Sequence, residues 1–211
     1  MADPQLHDLG FGDFDGDGSS ELTFWNQGTA NRGRNDVFVA TIPADPTSVP
    51  WPVTLVHDAT TRGEGMTIVD VDVDGRDDIV LTGGWVTMRP SGWVFEAFDP
   101  TFTNGRVAAG QFIPGGRVEI VTSSGDGAGG GDGLNLLRWS GSKWISSSLL
   151  SIDLPGPWRN GHSLDVGDVD LDGRLDIFAA EMSLGAAGDA RSVVLLGDGS
   201  GRFDIETVSA T

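Results

Sequence analysis

The chain has 211 residues, which is enough for one sizeable domain or for a short array of repeats. Its 31 acidic residues outnumber its 13 basic ones, and the net charge of −18 argues against nucleic acid or anionic membrane surfaces as partners. There is no cysteine, so disulfides and thiolate metal sites are excluded, and no apolar run is long enough for membrane insertion.

The acidic residues recur in three copies of one short motif, D-x-D-x-D-G-x-x-[DE]. The copies begin at Asp13, Asp70 and Asp168, and a degenerate fourth copy, QFIPGGRVE, begins at Gln111. Four repeats therefore fill the chain as one domain, residues 1–211. We place the repeats at residues 5–60, 61–103, 104–158 and 159–211.

Short β-type runs with a period of two accompany each motif, and Gly, Asn, Asp and Pro separate them. In chain order they lie at residues 22–25, 37–42, 52–57, 79–82, 93–98, 120–122, 134–139, 143–150, 177–178, 192–196 and 202–208. With the strand that precedes each motif, this predicts four strands per repeat, which is typical of a β-propeller blade. A β-sandwich with coincidental loops is the alternative. In the second repeat, residues 100–104 leave so little room that we expect its outer strand to be missing or very short.

The motif has the chemistry of a calcium loop. If the first Asp is position 1, carboxylates at positions 1, 3 and 5 converge in a tight loop, and position 9 adds another acid. Gly18, Gly75 and Gly173 occupy position 6, where a positive φ turns the chain. Calcium takes six to eight oxygen ligands, so three loops predict about three ions. An acidic turn without metal is the alternative.

Two helical calcium motifs share the start of this pattern but do not fit its end. An EF-hand needs a bidentate Glu at position 12 and helices on both sides. Position 12 is here Phe24, Leu81 or Ala179, and the flanks are β-type. A dockerin-type module fails for the same reason. The sequence therefore favours a calcium loop between adjacent strands.

The segments FGDFDGDGSSEL and DVGDVDLDGRLDIFAAEM resemble FG-GAP/VCBS repeats, the blades of integrin-α-like propellers. The resemblance covers essentially the whole chain and implies a metal loop between the first two strands of each blade. The ligands it implies are Asp13, Asp15, Asp17, Ser19, Glu21, Asp70, Asp72, Asp74, Arg76, Asp78, Asp168, Asp170, Asp172, Arg174 and Asp176, with Ser19, Arg76 and Arg174 acting through their carbonyls. Gln111, Ile113 and Gly115 replace the three aspartates in the third repeat, so we expect no ion there.

The number of repeats departs from that family, whose propellers usually have seven blades. Four repeats predict a fragment of a larger seven-bladed propeller or a partial propeller, and self-association or further blades would close it. The first residues, MADPQLHDLG, are polar and show no signal peptide. The resemblance nevertheless implies an extracellular location, at the cell surface or secreted.

Four residues are candidates for ligand binding. His7 and His162 each lie six residues before a metal loop, and Glu64 holds the equivalent place in the second repeat. The histidines are also the only candidates for catalysis, and the alternative is that each bonds a neighbouring blade. Trp85 and Trp158 are the least strand-like of the seven tryptophans and the most available for stacking on sugar rings. Matched insertions at residues 26–35 and 181–191 are either binding loops or plain turns.

Two functions from different classes follow. The first is a non-catalytic module that binds glycan or protein outside the cell, as propellers resembling this one commonly do. The second is the propeller portion of a carbohydrate-active lyase or dehydratase, which segments such as GHSLDVGDVDLDGRLDIFAAEM also resemble. The sequence has no G-x-S-x-G, no H-E-x-x-H and no tyrosine, so catalysis stays uncertain and binding is the first hypothesis.

Overall fold

A computed structural model describes residues 6–26, 35–59, 65–98, 105–124, 133–150, 158, 160–182 and 190–210. The fold is all-β, with four antiparallel β-propeller blades and no helix among these residues. None of the described segments could therefore cross a membrane as an apolar helix. The sequence prediction of an all-β propeller with four blades is confirmed.

Each blade is a four-stranded sheet in which consecutive strands are neighbours. Blade 1 contains β1 (Leu6–Gly12), β2 (Glu21–Asn26), β3 (Asn35–Ala40) and β4 (Val53–Ala59). Blade 2 contains β5 (Met66–Val69), β6 (Asp78–Leu81), β7 (Gly84–Arg89) and β8 (Gly92–Ala97). Blade 3 contains β9 (Gly105–Gly110), β10 (Glu119–Ser124), β11 (Leu134–Trp139) and β12 (Trp144–Ser148). Blade 4 contains β13 (Gly161–Gly167), β14 (Asp176–Glu181), β15 (Arg191–Gly197) and β16 (Phe203–Ala210).

The blades fall into two compact units, Met1–Thr103 and Asn104–Thr211, each with its own apolar core. In the first unit Trp25, Val37 and Ile79 are almost fully buried between blades 1 and 2. In the second unit Leu134, Leu136 and Ile177 are buried in the same way between blades 3 and 4. Alternation along the strands produces this packing, because β2 and β15 bury every second residue.

A close backbone approach sets the blade spacing in the first unit. A Cβ on Gly10 or Gly12 would lie 2.7–2.8 Å from the side chain of Ile68, which sits directly over β1. Such distances are not found between real side chains, so these two glycines are needed for blade 2 to pack against blade 1.

The expectation of a missing outer strand in blade 2 is wrong. A hairpin at residues 84–97 supplies both the third and the fourth strand, and Thr82 and Gly83 alone connect β6 to β7. The glycine pair at 83–84 resembles a loop in the sequence. Gly84 is in fact a strand residue, since a Cβ there would lie 2.4 Å from the carbonyl oxygen of Glu96.

Candidate metal centres

The three acidic motifs form loops of one design, each between the first and second strands of its blade. Loop 1 follows β1, loop 2 follows β5 and loop 4 follows β13. In each loop, one carboxylate oxygen from each of three residues lies within 4.8 Å of the other two. The three groups are Asp13, Asp15 and Asp17; Asp70, Asp72 and Asp78; and Asp168, Asp170 and Asp176.

The carboxylate at position 1 organises the backbone of its loop. In loop 2, Asp70 accepts hydrogen bonds from the backbone N–H groups of Asp74 and Gly75, at 3.0 and 2.8 Å. In loop 4, Asp168 accepts the equivalent bonds from Asp172 and Gly173, at 3.0 and 2.9 Å. Each loop is therefore curled around its first Asp, so that the carboxylates face one another before any cation binds.

The acid at position 9 is buried and closes the loop on itself. Asp78 and Asp176 each accept the backbone N–H of position 2, at 2.9 and 2.8 Å, and Glu21 does the same at 3.1 Å. Burial raises the pKa of Asp78 to about 6, with a smaller contribution from the neighbouring carboxylates of Asp72 and Asp74. Burial also raises the pKa of Glu21. A cation beside these carboxylates would offset the cost of holding them ionised.

The loops differ at position 5. In loops 2 and 4 this Asp pairs with the guanidinium of position 7, as Asp74 with Arg76 and Asp172 with Arg174. In loop 1 position 7 is Ser19, which has no guanidinium, although the backbone N–H of position 7 donates to position 5 in all three loops. Asp17 belongs to the carboxylate group of loop 1, whereas the groups of loops 2 and 4 contain position 9 instead. The carbonyl ligands implied at position 7 stay predictions.

The donor atoms of loop 2 fit a hard cation such as calcium. Asp72 Oδ1 is buried and has no hydrogen-bond partner among the described residues, whereas the buried carboxylate of Asp78 has the hydroxyl of Thr87 beside it. An unsatisfied carboxylate oxygen in such a place is costly unless something neutralises it. Calcium prefers carboxylate oxygens in a flexible, irregular shell, which is the donor set these loops offer. The metal prediction therefore fits the chemistry of all three loops.

The degenerate loop of blade 3 keeps one part of this design. Glu119 is buried and accepts the backbone N–H groups of Phe112 and Ile113, at 2.9 and 3.0 Å. Gln111 reaches only the carbonyl of Ile113, and Gly115 contributes no side chain. The acid at position 9 therefore has a structural role that does not depend on metal, which the sequence pattern alone does not reveal.

Two residues that the motif does not specify act on the metal loops and were missed in the sequence. Arg89, on β7, places Nη2 2.7 Å from Asp72 Oδ2 and 2.6 Å from Glu96 Oε1. Asp77, at position 8 of loop 2, accepts the backbone N–H of Asp13 at 3.0 Å and donates its own N–H to the Asp13 carbonyl. The second contact ties loop 1 to loop 2 within the first unit. Neither has a sequence signal, because both depend on which strands become neighbours.

The two histidines occupy the same place in their blades, as the second residue of the first strand. His7 is exposed, and its Nδ1 lies 3.1 Å from Asp8 Oδ2. His162 is half-buried, and its Nε2 lies 3.0 Å from Nη2 of Arg106 on β9. Because a guanidinium only donates, Nε2 of His162 accepts. His162 thus makes the bond to a neighbouring blade that was the alternative to a functional role, while a role for His7 stays a prediction.

The expectation that Trp85 and Trp158 are available for ligands is wrong. Both side chains are 1% exposed. Trp85 lies in strand β7 and stacks on Phe98, with ring centroids 6.4 Å apart. Trp158 donates its indole N–H to Ser123 Oγ at 3.0 Å and lies beneath the guanidinium of Arg191. Both indoles fill the core, so neither can stack on a sugar in this arrangement.

The ends of the insertion in blade 4 are held together. Arg191 Nε lies 2.7 Å from Glu181 Oε2 in a largely buried ion pair, and the backbone N–H of Arg191 donates to the same carboxylate. Residues 183–189, most of the insertion in blade 1 (27–34) and Glu64 lie outside the described residues.

Neither a protein-family model nor a curated protein matches the chain. Among solved structures, it is similar to the crystal structure of the rhamnogalacturonan lyase YesW, with a TM-score of 0.53 and 17% sequence identity. The similarity covers 88% of this chain but 29% of the lyase, so the chain spans less than a third of that protein. At this level of identity the likeness concerns the fold alone.

Proposed function

We propose that this chain is a propeller module of the FG-GAP/VCBS type that binds calcium through three of its four blades. The observation that carries the proposal is the meeting of three carboxylates within 4.8 Å in each of three loops of one design. Such groups repel one another in the absence of a cation, and part of each is shielded from water. A calcium ion in each loop would convert this repulsion into stability of the folded state.

A calcium titration tests the proposal. Calorimetry on chelator-treated protein should give three calcium ions per chain, and the melting temperature should rise by well over a few degrees at saturation. Magnesium should bind much more weakly, because it demands a near-ideal octahedral shell. Asp70→Asn should remove one ion, whereas Gln111→Asn, the same position of the degenerate loop, should leave the number at three. A fourth tight ion, or no ion, would contradict the proposal.

The ligand of the module is, in this proposal, a glycan or a protein outside the cell. With Trp85 and Trp158 buried, the half-buried pair of Trp139 and Trp144 becomes the better candidate for stacking on a sugar. Their ring centroids are 5.6 Å apart in an edge-to-face arrangement, and the guanidinium of Arg117 covers one face of the Trp139 ring, 4.4 Å from its centre. Aromatic faces of this kind bind sugar rings, and the adjoining strand β12 is largely exposed.

A glycan-binding screen tests this step. Trp144→Ala should abolish any glycan signal, whereas Trp51→Ala, an indole on another blade, should preserve it. A glycan signal unchanged in Trp144→Ala would exclude the Trp139–Trp144 pair as the site.

A second candidate function is the propeller portion of a polysaccharide lyase. It is favoured by the likeness to a rhamnogalacturonan lyase over 88% of this chain. A lyase assay on pectic polysaccharides, run beside the glycan screen, separates the two classes. Turnover that is lost in the double variant His7→Ala, His162→Ala, at an unchanged melting temperature, would favour the enzyme.

A further inference from the structure

One face of blade 1 carries two apolar rows that cross all four strands. The register places two rows of side chains on it, because directly paired residues point to the same side. The rows are Leu9, Phe24, Phe38 and Leu55, and Phe11, Leu22, Ala40 and Val53. We call these eight residues the leading face of blade 1.

The leading face is open to solvent at its two outer strands. Leu9 is 67% exposed, Phe11 58%, Val53 52% and Leu55 48%. The opposite face of the same sheet is closed, since Thr23, Trp25 and Val37 on that side are at most 2% exposed. Contiguous apolar patches of this kind mark interaction surfaces in folded proteins.

The other blades show what a leading face normally contacts. Ile68, two residues before loop 2, sits over Gly12 of blade 1, where a Cβ would lie 2.8 Å from it. Val166, two residues before loop 4, sits over Gly110 of blade 3, where a Cβ would lie 3.2 Å from it. The same contact therefore occurs in both units. The residue two positions before the loop of one blade lies over the glycine that directly precedes the loop of the preceding blade. Phe11 is the equivalent residue of blade 1.

Blade 4 carries the matching glycine on its outer side. Gly167 immediately precedes loop 4, as Gly12 precedes loop 1 and Gly110 precedes the degenerate loop. A Cβ on Gly167 would have no atom within 4 Å, whereas those on the other two would be crowded. Phe178 and Val194, which are paired on this outer side, are only half-buried. We call this surface the trailing face of blade 4.

We infer that two copies of this chain associate head to tail, with Phe11 of one copy seated over Gly167 of the other. In this contact Phe11 takes the place that Ile68 and Val166 take over a glycine of the preceding blade within each unit. It is a heterologous interface, because each copy contributes a different surface to it. A symmetric dimer formed by two leading faces would instead place Phe11 against side chains of the other copy. Gly167 of both copies would then remain without a contact.

Analytical ultracentrifugation in calcium-containing buffer tests this over a range of protein concentrations. The chain should form dimers or larger assemblies that dissociate on dilution, and a monomer at every concentration would overturn the inference. Phe11→Ser and Gly167→Val should each weaken association at least about tenfold, as expected for residues at the centre of an interface. Gly167→Val should fold normally, since the backbone of Gly167 is not left-handed and a Cβ there would have no atom within 4 Å. Ile145→Ser, which changes an exposed apolar residue on β12, should leave association unchanged.

A mixing experiment separates head-to-tail pairing from other modes. Phe11→Ser keeps an intact trailing face, and Gly167→Val keeps an intact leading face. Each variant alone should be monomeric, and an equimolar mixture should form one-to-one dimers. Association of Gly167→Val alone at the unmodified affinity, or failure of the mixture to associate, would overturn the inference.

Discussion

Position 4 of each metal loop has a left-handed backbone, and only loop 1 places a glycine there. Gly16 has a φ of 78°, whereas Val73 and Leu171 hold 61° and 63° in loops 2 and 4. Left-handed backbone costs an ordinary residue about 1–2 kcal/mol, and a β-branched side chain is the least suited to it. Both side chains are largely exposed, at 61% and 85%, so neither repays this strain by packing.

Val73→Gly should therefore stabilise the protein by about 1 kcal/mol, the relieved strain less the entropy that glycine adds to the unfolded chain. Denaturant unfolding in calcium measures the change. Val169→Gly is the matched control, because Val169 is a similarly exposed loop valine without a left-handed backbone, and it should lose about 0.5–1 kcal/mol. Equal effects of the two substitutions would exclude strain at position 4.

Substitutions of the acids at position 9 should distinguish their role in metal binding from their role in closing the loop. Asp78→Asn keeps an acceptor for the N–H of Val71 but removes a buried charge whose pKa stands at about 6, above the ordinary 3.8. In chelator at pH 7 the variant should be more stable than the unmodified chain by roughly 1–3 kcal/mol, since the folded state no longer holds that ionised carboxylate. In calcium it should be less stable, because a ligand is gone.

Glu119→Gln makes the same chemical change in the degenerate loop. It keeps an oxygen for the N–H groups of Phe112 and Ile113, so it should respond identically to calcium and chelator. Thermal melts of both variants in both buffers decide the matter. The absence of a calcium-dependent reversal in Asp78→Asn would show that Asp78 is not a ligand.

At the scale of single strands, packing between blades buries a histidine that no sequence motif singles out. His57 on β4 stacks on Phe95 of β8, with ring centroids 4.3 Å apart. Burial lowers the pKa of His57 from its usual 6.5, and the neighbouring Asp58 only partly opposes this. The folded state therefore favours the neutral imidazole, and the unfolded state binds a proton more readily.

Stability should accordingly decrease as the pH falls below about 6.5 through the titration range of His57, because protons bind preferentially to the unfolded chain there. His57→Phe retains the ring stack and removes the proton-binding site. The difference in unfolding free energy between variant and unmodified chain should grow in favour of the variant from pH 7.5 towards pH 5.5. A difference that stays constant over this interval would contradict the assignment.

Individual strands and loops also show which features of the fold and of the candidate site can be predicted from the sequence. Alternating carboxylates before a period-two run are local features, and they predicted the loops and most strands. The burial of Trp85 and Trp158 depends on which strand or blade lies opposite, and no local pattern records that. The β7–β8 hairpin was missed because Gly83 and Gly84 mark a loop in most sequences, whereas here Gly84 allows close approach of β8. Arg89 was missed because its partners, Asp72 and Glu96, lie on other strands or loops of its blade, and no local pattern records those contacts.

At the scale of the whole molecule, the net charge of −18 is concentrated in the three metal loops and opposes folding when no cation is bound. Three calcium ions would offset a third of that charge at the points where the carboxylates are closest. Arg76 and Arg174 within loops 2 and 4, and Arg89 on β7, neutralise part of the charge of these two loops. The stability of the calcium-free chain should thus depend on screening by salt much more than that of the calcium-bound chain.

Melting temperatures should show this difference between about 0.1 M and about 1 M NaCl, over which the Debye length shortens from about 10 Å to about 3 Å. In chelator the melting temperature should rise by several degrees across this interval, because screening weakens repulsion among the loop carboxylates. In saturating calcium the rise should be much smaller, and this arm also measures the general effect of salt on folding. The triple variant Asp13→Asn, Asp70→Asn, Asp168→Asn should show a weak salt dependence in both buffers, since each loop has lost a charge. Equal salt dependence of the unmodified chain with and without calcium would show that repulsion in the loops does not limit its stability.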